Sequence, residues 1–205
     1  MATKFFKIIT LGLCATAITS KVSATLDTEE LRLLLSDSGR DVSDFVRDSV
    51  RKPIEVLAFA GIDKGMSVLD LYAAGGYYTF ILSKAVGDTG TVYAQNTERG
   101  LRFVEDRQNR TQGEALKEKI EEGNLKNVVQ LIGPIRSLSL AEESLDAVML
   151  AQTLHDSYNS NPDRALNLLQ RLKTLLKPGG FIVVTDHIGI SGSNNREMHR
   201  MEITQ

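Results

Sequence analysis

The sequence predicts an α/β fold, a mostly parallel sheet with helices on both faces, and three observations predict it. Five short apolar runs, Ser67–Leu71, Thr91–Gln95, Val128–Ile132, Leu145–Ala151 and Phe181–Thr185, are nearly continuous rather than alternating, as strands buried on both faces are. Ala165, Leu168, Leu169, Leu172, Leu175 and Leu176 recur at three- and four-residue steps, the stripe of a helix packed on a sheet. Strands and helical segments alternate, which calls for right-handed crossovers and parallel neighbours. With 205 residues, 42% hydrophobic and 24% charged, the chain has the make-up of one globular domain. Four Pro, 16 Gly and the absence of a repeat exclude low-complexity and solenoid classes.

The elements follow in order. Residues 1–24 read as a signal peptide: Lys4 and Lys7 precede an apolar run from Ile8 to Ile18, and Val22-Ser23-Ala24 offers a small-residue cleavage end. The expected address is periplasmic or secreted, with no stable membrane insertion after cleavage, because the run is shorter than the ~20 residues of a spanning helix. Removing these residues leaves 21 Lys and Arg against 26 Asp and Glu, a net charge of −5, and takes away Cys14, the single cysteine. Thiol chemistry, disulfides and cysteine-type zinc sites are thereby excluded, and no basic field recruits nucleic acid.

Residues 25–60 form a helical lead-in. Asp27 and Asp41 offer capping oxygens ahead of Leu31, Leu34 and Leu35 and of Phe45, Val46 and Val50, and Pro53 suits the first turn of a third helix. Arg47, Arg51 and Lys52 read as a solvated helix face. Residues 61–205 form the main domain: the first strand, a helix over Tyr77–Val86, the second strand, one or two polar helices within Leu101–Glu122, and the remaining strands. Lys177-Pro178-Gly179-Gly180 stops the striped helix and turns the chain into the fifth strand. Ligands of such sheets bind outside the carboxyl ends of the strands.

Val68-Leu69-Asp70-Leu71, Ala73-Ala74-Gly75-Gly76-Tyr77-Tyr78-Thr79 and Leu176-Lys177-Pro178-Gly179-Gly180, in this order and spacing, resemble a class I S-adenosylmethionine-dependent methyltransferase with its Rossmann-like sheet. Arg47-Asp48, Arg51-Lys52-Pro53, Val92-Tyr93-Ala94-Gln95-Asn96, Asp186-His187, Gly192-Ser193 and His199-Arg200 are similar to a branch of predicted methyltransferases often made with signal peptides. The resemblance implies S-adenosylmethionine as cofactor and a small-molecule methyl acceptor. It also implies a further helix and two more strands, one hairpin of them antiparallel, for which 188–205 leave too little chain; the domain reads as C-terminally incomplete. A non-catalytic binding protein retaining a degenerate form of the fold is the alternative.

The family's pattern is an acid followed by three glycines at alternate positions; here Asp70 is followed by Tyr72, Ala74 and Gly76. Gly75 and Gly76 let backbone approach the amino acid end of the cofactor, and N–H groups at the following helix start, by Tyr77, face its carboxylate. Asn96 ends the second strand where an acid would grip the ribose, and an amide both donates and accepts there. Pro134 offers adenine only a carbonyl, which leaves Ile135 as the apolar contact. His155 and Asp156 follow the fourth strand: His155 is the candidate general base with Asp156 or Tyr158 orienting it, or else a helix cap. His187 and His199 read as structural, and the His and Asp spacing matches no dedicated metal motif, so no metal is expected. Oligomeric state is not legible.

Overall fold

The computed structural model describes residues 26–36, 40–106 and 109–201; the expected signal peptide lies outside them. The lead-in is α1 (Thr28–Leu35), α2 (Val42–Arg51) and α3 (Pro53–Ala60). Then come β1 (Ser67–Leu71), α4 (Tyr77–Val86), β2 (Thr91–Asn96), α5 (Gln112–Glu122) and β3 (Val128–Ile132). The described chain continues with β4 (Leu145–Ala151), α6 (Leu154–Ser160), α7 (Pro162–Leu175) and β5 (Leu176–Thr185). The five strands form one sheet in the order β3-β2-β1-β4-β5, every neighbouring pair parallel. Strand order reverses between β1 and β4, which opens a crevice at their carboxyl ends.

The continuous apolar runs are buried from both sides, as expected. Val68, Ala147 and Met149 face α1, α3 and α4, while Leu69, Leu71, Val148 and Leu150 meet Leu168, Leu172 and Leu175 of α7. Local signals set the helix starts: Asp27 accepts from the N–H groups of Glu29 and Glu30, Asp41 accepts from Ser43, and Pro53 opens α3. Each carboxylate cap contributes about 1 kcal/mol.

Helix α2 inverts the expected orientation. Val46 and Val50 are 69% and 80% exposed, whereas Asp44 is fully buried and Arg40, just before the helix, is 4% exposed. Buried charge is tolerable only when paired, and here it is. Arg40 forks onto Asp48 at 2.5 and 2.8 Å, Tyr77 donates its hydroxyl to Asp48 at 2.7 Å, and Lys119 of α5 pairs with Asp44. Arg47 contacts Asp44 at 3.3 Å and Glu105 at 3.0 Å. The face expected to be solvated is therefore the one that docks the lead-in onto α4 and α5; of its three cations only Lys52 is exposed.

Two further expectations change. The polar stretch from Leu101 is a single 3-10 turn, Gly100–Arg102, and then an antiparallel bridge of Val104 with Thr111; α5 begins only at Gln112. A reciprocal cap fixes that start, Thr111 Oγ1 accepting from the Glu114 N–H and the Glu114 carboxylate accepting from the Thr111 N–H. Lys177-Pro178-Gly179-Gly180 lies inside β5 as a bulge: Leu176 pairs with Leu145, and Phe181 pairs with Ala147. Leu176 thus belongs to the strand rather than to the helical stripe. Among the described residues, 186–201 add turns and no strand, and no helix is long and apolar enough to cross a membrane.

Candidate active site

The loop from β1 to α4 keeps a left-handed backbone at alternate positions: φ is 56° at Tyr72, 51° at Ala74 and 84° at Gly76. These are the three positions at which the sequence comparison sought glycines. An L-residue in this region costs roughly 1–2 kcal/mol, so Tyr72 and Ala74 need support, and β2 supplies it. Gln95 Oε1 accepts from the Tyr72 N–H at 3.1 Å while its Nε2 donates to the Gly133 carbonyl at 2.7 Å. Asn96 Oδ1 accepts from the Ala74 N–H at 2.9 Å, and its Nδ2 donates back to the Ala74 carbonyl at 3.2 Å. Both amides are buried. Asn96 therefore fastens the loop, a role the sequence did not assign, and Gln95 was not singled out at all. The available signal was the pair of amides closing a strand beside a loop short of glycine.

The two remaining glycines have different reasons to be there. A Cβ on Gly76 would meet Leu116 Cδ1 of α5 at 2.7 Å, so this position is fixed by packing and by its φ. A Cβ on Gly75 would meet the Glu105 side chain at 2.5 Å. Gly75 is thus the point at which side-chain atoms already lie against bare backbone.

The loop forms a ridge between two adjoining cavities. One, of about 400 Å³, is lined by Tyr72, Ala74, Asn96, Phe103, Thr153 and Asp156, among others. The other, of about 330 Å³, is lined by Arg47, Arg51, Asp70, Gly75, Tyr77 and Glu105, with Tyr72, Ala74 and Thr153 shared. The Thr153 hydroxyl is buried and has no hydrogen-bond partner among the described residues. Arg51 lies 4.5 Å over the Tyr77 ring and donates to Gln152 Oε1 at 2.9 Å. Gly76 at the N-cap has no side chain to cap α4, and within the first turn Asp70 draws on Thr79 through both its hydroxyl and its backbone N–H. Ile135 lines neither cavity and packs against the sheet layer that contains Leu69 and Leu71.

Asp70 is 2% exposed and accepts from the Thr79 hydroxyl at 2.6 Å. Burial pushes its carboxyl up to about 7, against the opposing pull of the Thr79 hydrogen bonds and Arg51. Between pH ~4 and ~7 the folded protein therefore holds a proton that the unfolded chain has released, and stability falls as pH rises through that window. A carboxyl held that far above its ordinary range corresponds to an upper bound on the order of 4 kcal/mol. Asp70→Asn keeps the shape and removes the titration, so its melting temperature is expected to decline less than that of the wild type between about pH 4 and 8. Parallel declines in the two proteins would assign the effect to other groups.

His155 and Asp156 stand together at the start of α6, and Asp186 at the end of β5 joins them. The Asp186 carboxylate accepts from the His155 backbone N–H at 2.9 Å and lies 2.7 Å from His155 Nδ1. His155 Nε2 is 3.3 Å from Asp156 Oδ1. The imidazole is 5% exposed and lines neither cavity; Asp156 lines the larger one. His199 Nδ1 lies 3.8 Å from the same Asp156 oxygen, while His187 is exposed nearby.

Residues 62–202 match a family described as "Methyltransferase domain". The chain is 34% identical over 119 residues to a demethylmenaquinone methyltransferase of Lactococcus lactis, covering 58% of this chain and 41% of that one. It is 34% identical over 128 residues to a demethylmenaquinone methyltransferase of Staphylococcus aureus, covering 62% and 46%. It thus spans less than half the length of these curated relatives. The crystal structure of a SAM dependent methyltransferase from Aquifex aeolicus aligns with a TM-score of 0.58 at 27% identity, over 83% of this chain and 79% of that one. Carrying the left-handed loop, the crevice beside it and the matching sequence from residue 62 onward, this chain belongs to the methyltransferase domain family.

Proposed function

We propose that the domain binds S-adenosylmethionine across the loop at residues 72–76 and transfers its methyl group to a small-molecule acceptor. The observation that carries this reading is the loop itself: its left-handed conformation is kept at Tyr72 and Ala74, where the buried amides of Gln95 and Asn96 hold it, and Gly75 lies in a cavity beside two arginines. A turn with no ligand to cradle has no need of a conformation so costly to hold.

Bound S-adenosylmethionine supplies a methyl group on a sulfonium, open to in-line attack. The residues present fit it. Gly75, the start of α4 at Tyr77 and Arg51 beside that ring suit the cofactor's carboxylate. Asp70 lines the same cavity, where an approaching cationic group would draw its carboxyl into the charged form. Asn96, Tyr72 and Ala74 border the larger cavity, where the adenosine would rest; apolar contact with adenine falls there to Phe103 in place of Ile135. Glu105, paired with Arg47 over Gly75, must swing aside when the amino acid end is seated. The His155 and Asp156 pair takes the acceptor's proton, Asp156 at the cavity wall and the imidazole behind it, steadied by Asp186.

Calorimetric titration with S-adenosylmethionine and S-adenosylhomocysteine tests the reading. Saturable binding of both by wild type is expected, with at least a hundredfold loss in Gly75→Val, whose side chain enters the cradle without the φ strain present at Gly76. Saturable binding by a folded Gly75→Val at wild-type strength would remove this loop from the site. Absence of binding by wild type would favour a non-catalytic use of the fold.

A further inference from the structure

The geometry points to a divalent transition-metal site formed by His155, Asp156 and His199, a binding site additional to the cofactor cradle. One ligand atom from each of the three residues lies within 4.8 Å of the other two. His155 Nε2 and Asp156 Oδ1 are separated by 3.3 Å, close to the ~3.3 Å edge that two bonds of ~2.0–2.1 Å subtend at a tetrahedral zinc ion. His199 Nδ1 is 3.8 Å from the same oxygen, and a small rotation of this exposed side chain would close that edge.

The surroundings are what such a site requires. Metal-bound imidazoles usually present their second nitrogen to a carboxylate, which fixes tautomer and ring orientation. His155 does so: Nδ1 meets Asp186 Oδ1 at 2.7 Å, and the other Asp186 oxygen accepts from the His155 backbone. A cation bound between His155 Nε2 and Asp156 Oδ1 would meet an imidazole already oriented by Asp186, with the two ligand atoms 3.3 Å apart. His199 is held in place independently, because Asn159 of α6 donates to the Arg200 carbonyl at 2.5 Å and the Met201 N–H bonds to the His187 carbonyl at 3.0 Å. Two imidazoles and a carboxylate suit zinc, cobalt or nickel better than magnesium or calcium. Three protein ligands leave a fourth position for water or an acceptor oxygen, and Asp156 lines the larger cavity.

The inference needs no cofactor and its test reads metal alone; it shares His155 and Asp156 with the methyl-transfer reading, and with a cation bound these two serve as its ligands and not as the proton-accepting pair. Untagged protein, stripped with chelator, is titrated with Co²⁺ and followed by visible absorption, with Zn²⁺ as competitor. One equivalent of Co²⁺ with the intense bands of a low-coordinate site is expected, displaced by one equivalent of Zn²⁺. Affinity should fall at least tenfold in His199→Ala, which changes a side chain that is 76% exposed, and by roughly 10–100-fold in Asp186→Asn. His187→Ala should bind as wild type does. No saturable Co²⁺ binding by wild type, or unchanged affinity in folded His199→Ala, would overturn the site.

Discussion

Replacing Asn96 by alanine is expected to destabilise the fold by about 2–4 kcal/mol and to weaken S-adenosylmethionine binding at least tenfold. The amide both accepts from and donates to Ala74, and each backbone group left unpaired in a partly enclosed place costs roughly 1–3 kcal/mol. The left-handed strain at Ala74 would remain, with nothing to oppose it. Urea denaturation gives the first quantity and calorimetry the second. Unchanged stability together with unchanged affinity would show that the loop holds its own shape.

The second large effect is expected at the reacting end. In chelator-treated protein, His155→Ala should lower turnover of a hydroxyl or amine acceptor by about 10² to 10⁴, the range for loss of a proton acceptor, while cofactor affinity stays within about twofold. Among the described residues, the same change leaves the Asp186 carboxylate, 8% exposed, with the backbone N–H groups at 155 and 187 as donors, so a lower melting temperature is expected too. Rate must therefore be expressed per folded molecule. Asp156→Asn separates the roles: that carboxylate is 66% exposed, so its loss should slow turnover without affecting the fold. If the His155→Ala rate per folded molecule equals that of wild type, the imidazole serves only to join α6 to β5.

The fold was legible wherever its signals were local. Asp27, Asp41 and Pro53 announce helix starts within four residues, and the runs at Val68–Leu71 and Leu145–Ala151 are apolar because both sheet faces are covered. What escaped depends on distant partners. Apolarity alone points Val46 and Val50 inward; Lys119 and Glu105, far along the chain, are what make a charged face of α2 the buried one. The bulge at Lys177–Gly180 was read as a turn because proline and glycine punctuate both. Chemistry and order singled out Gly75, Asp70 and the His155–Asp156 pair, of which Gly75, Asp70 and Asp156 line the two cavities and His155 lines neither. Gln95 was missed, and Asn96 was found for a different reason, since the need for amides at the end of β2 arises only once Tyr72 and Ala74 are seen to be left-handed.

That loop carries a consequence for how the sequence can change. A glycine encodes a left-handed position within itself, whereas here the instruction at position 74 is divided between Ala74 and a residue 22 positions later. Mutational steps are then ordered: an amide at 96 makes alanine at 74 tolerable, and once alanine is fixed the amide can no longer drift. Going the other way, glycine at 74 would release position 96 from this task. Two chains that encoded the turn in these two ways would share one backbone and yet exchange single residues badly. Similarity scores that weigh each column alone will understate the kinship between them.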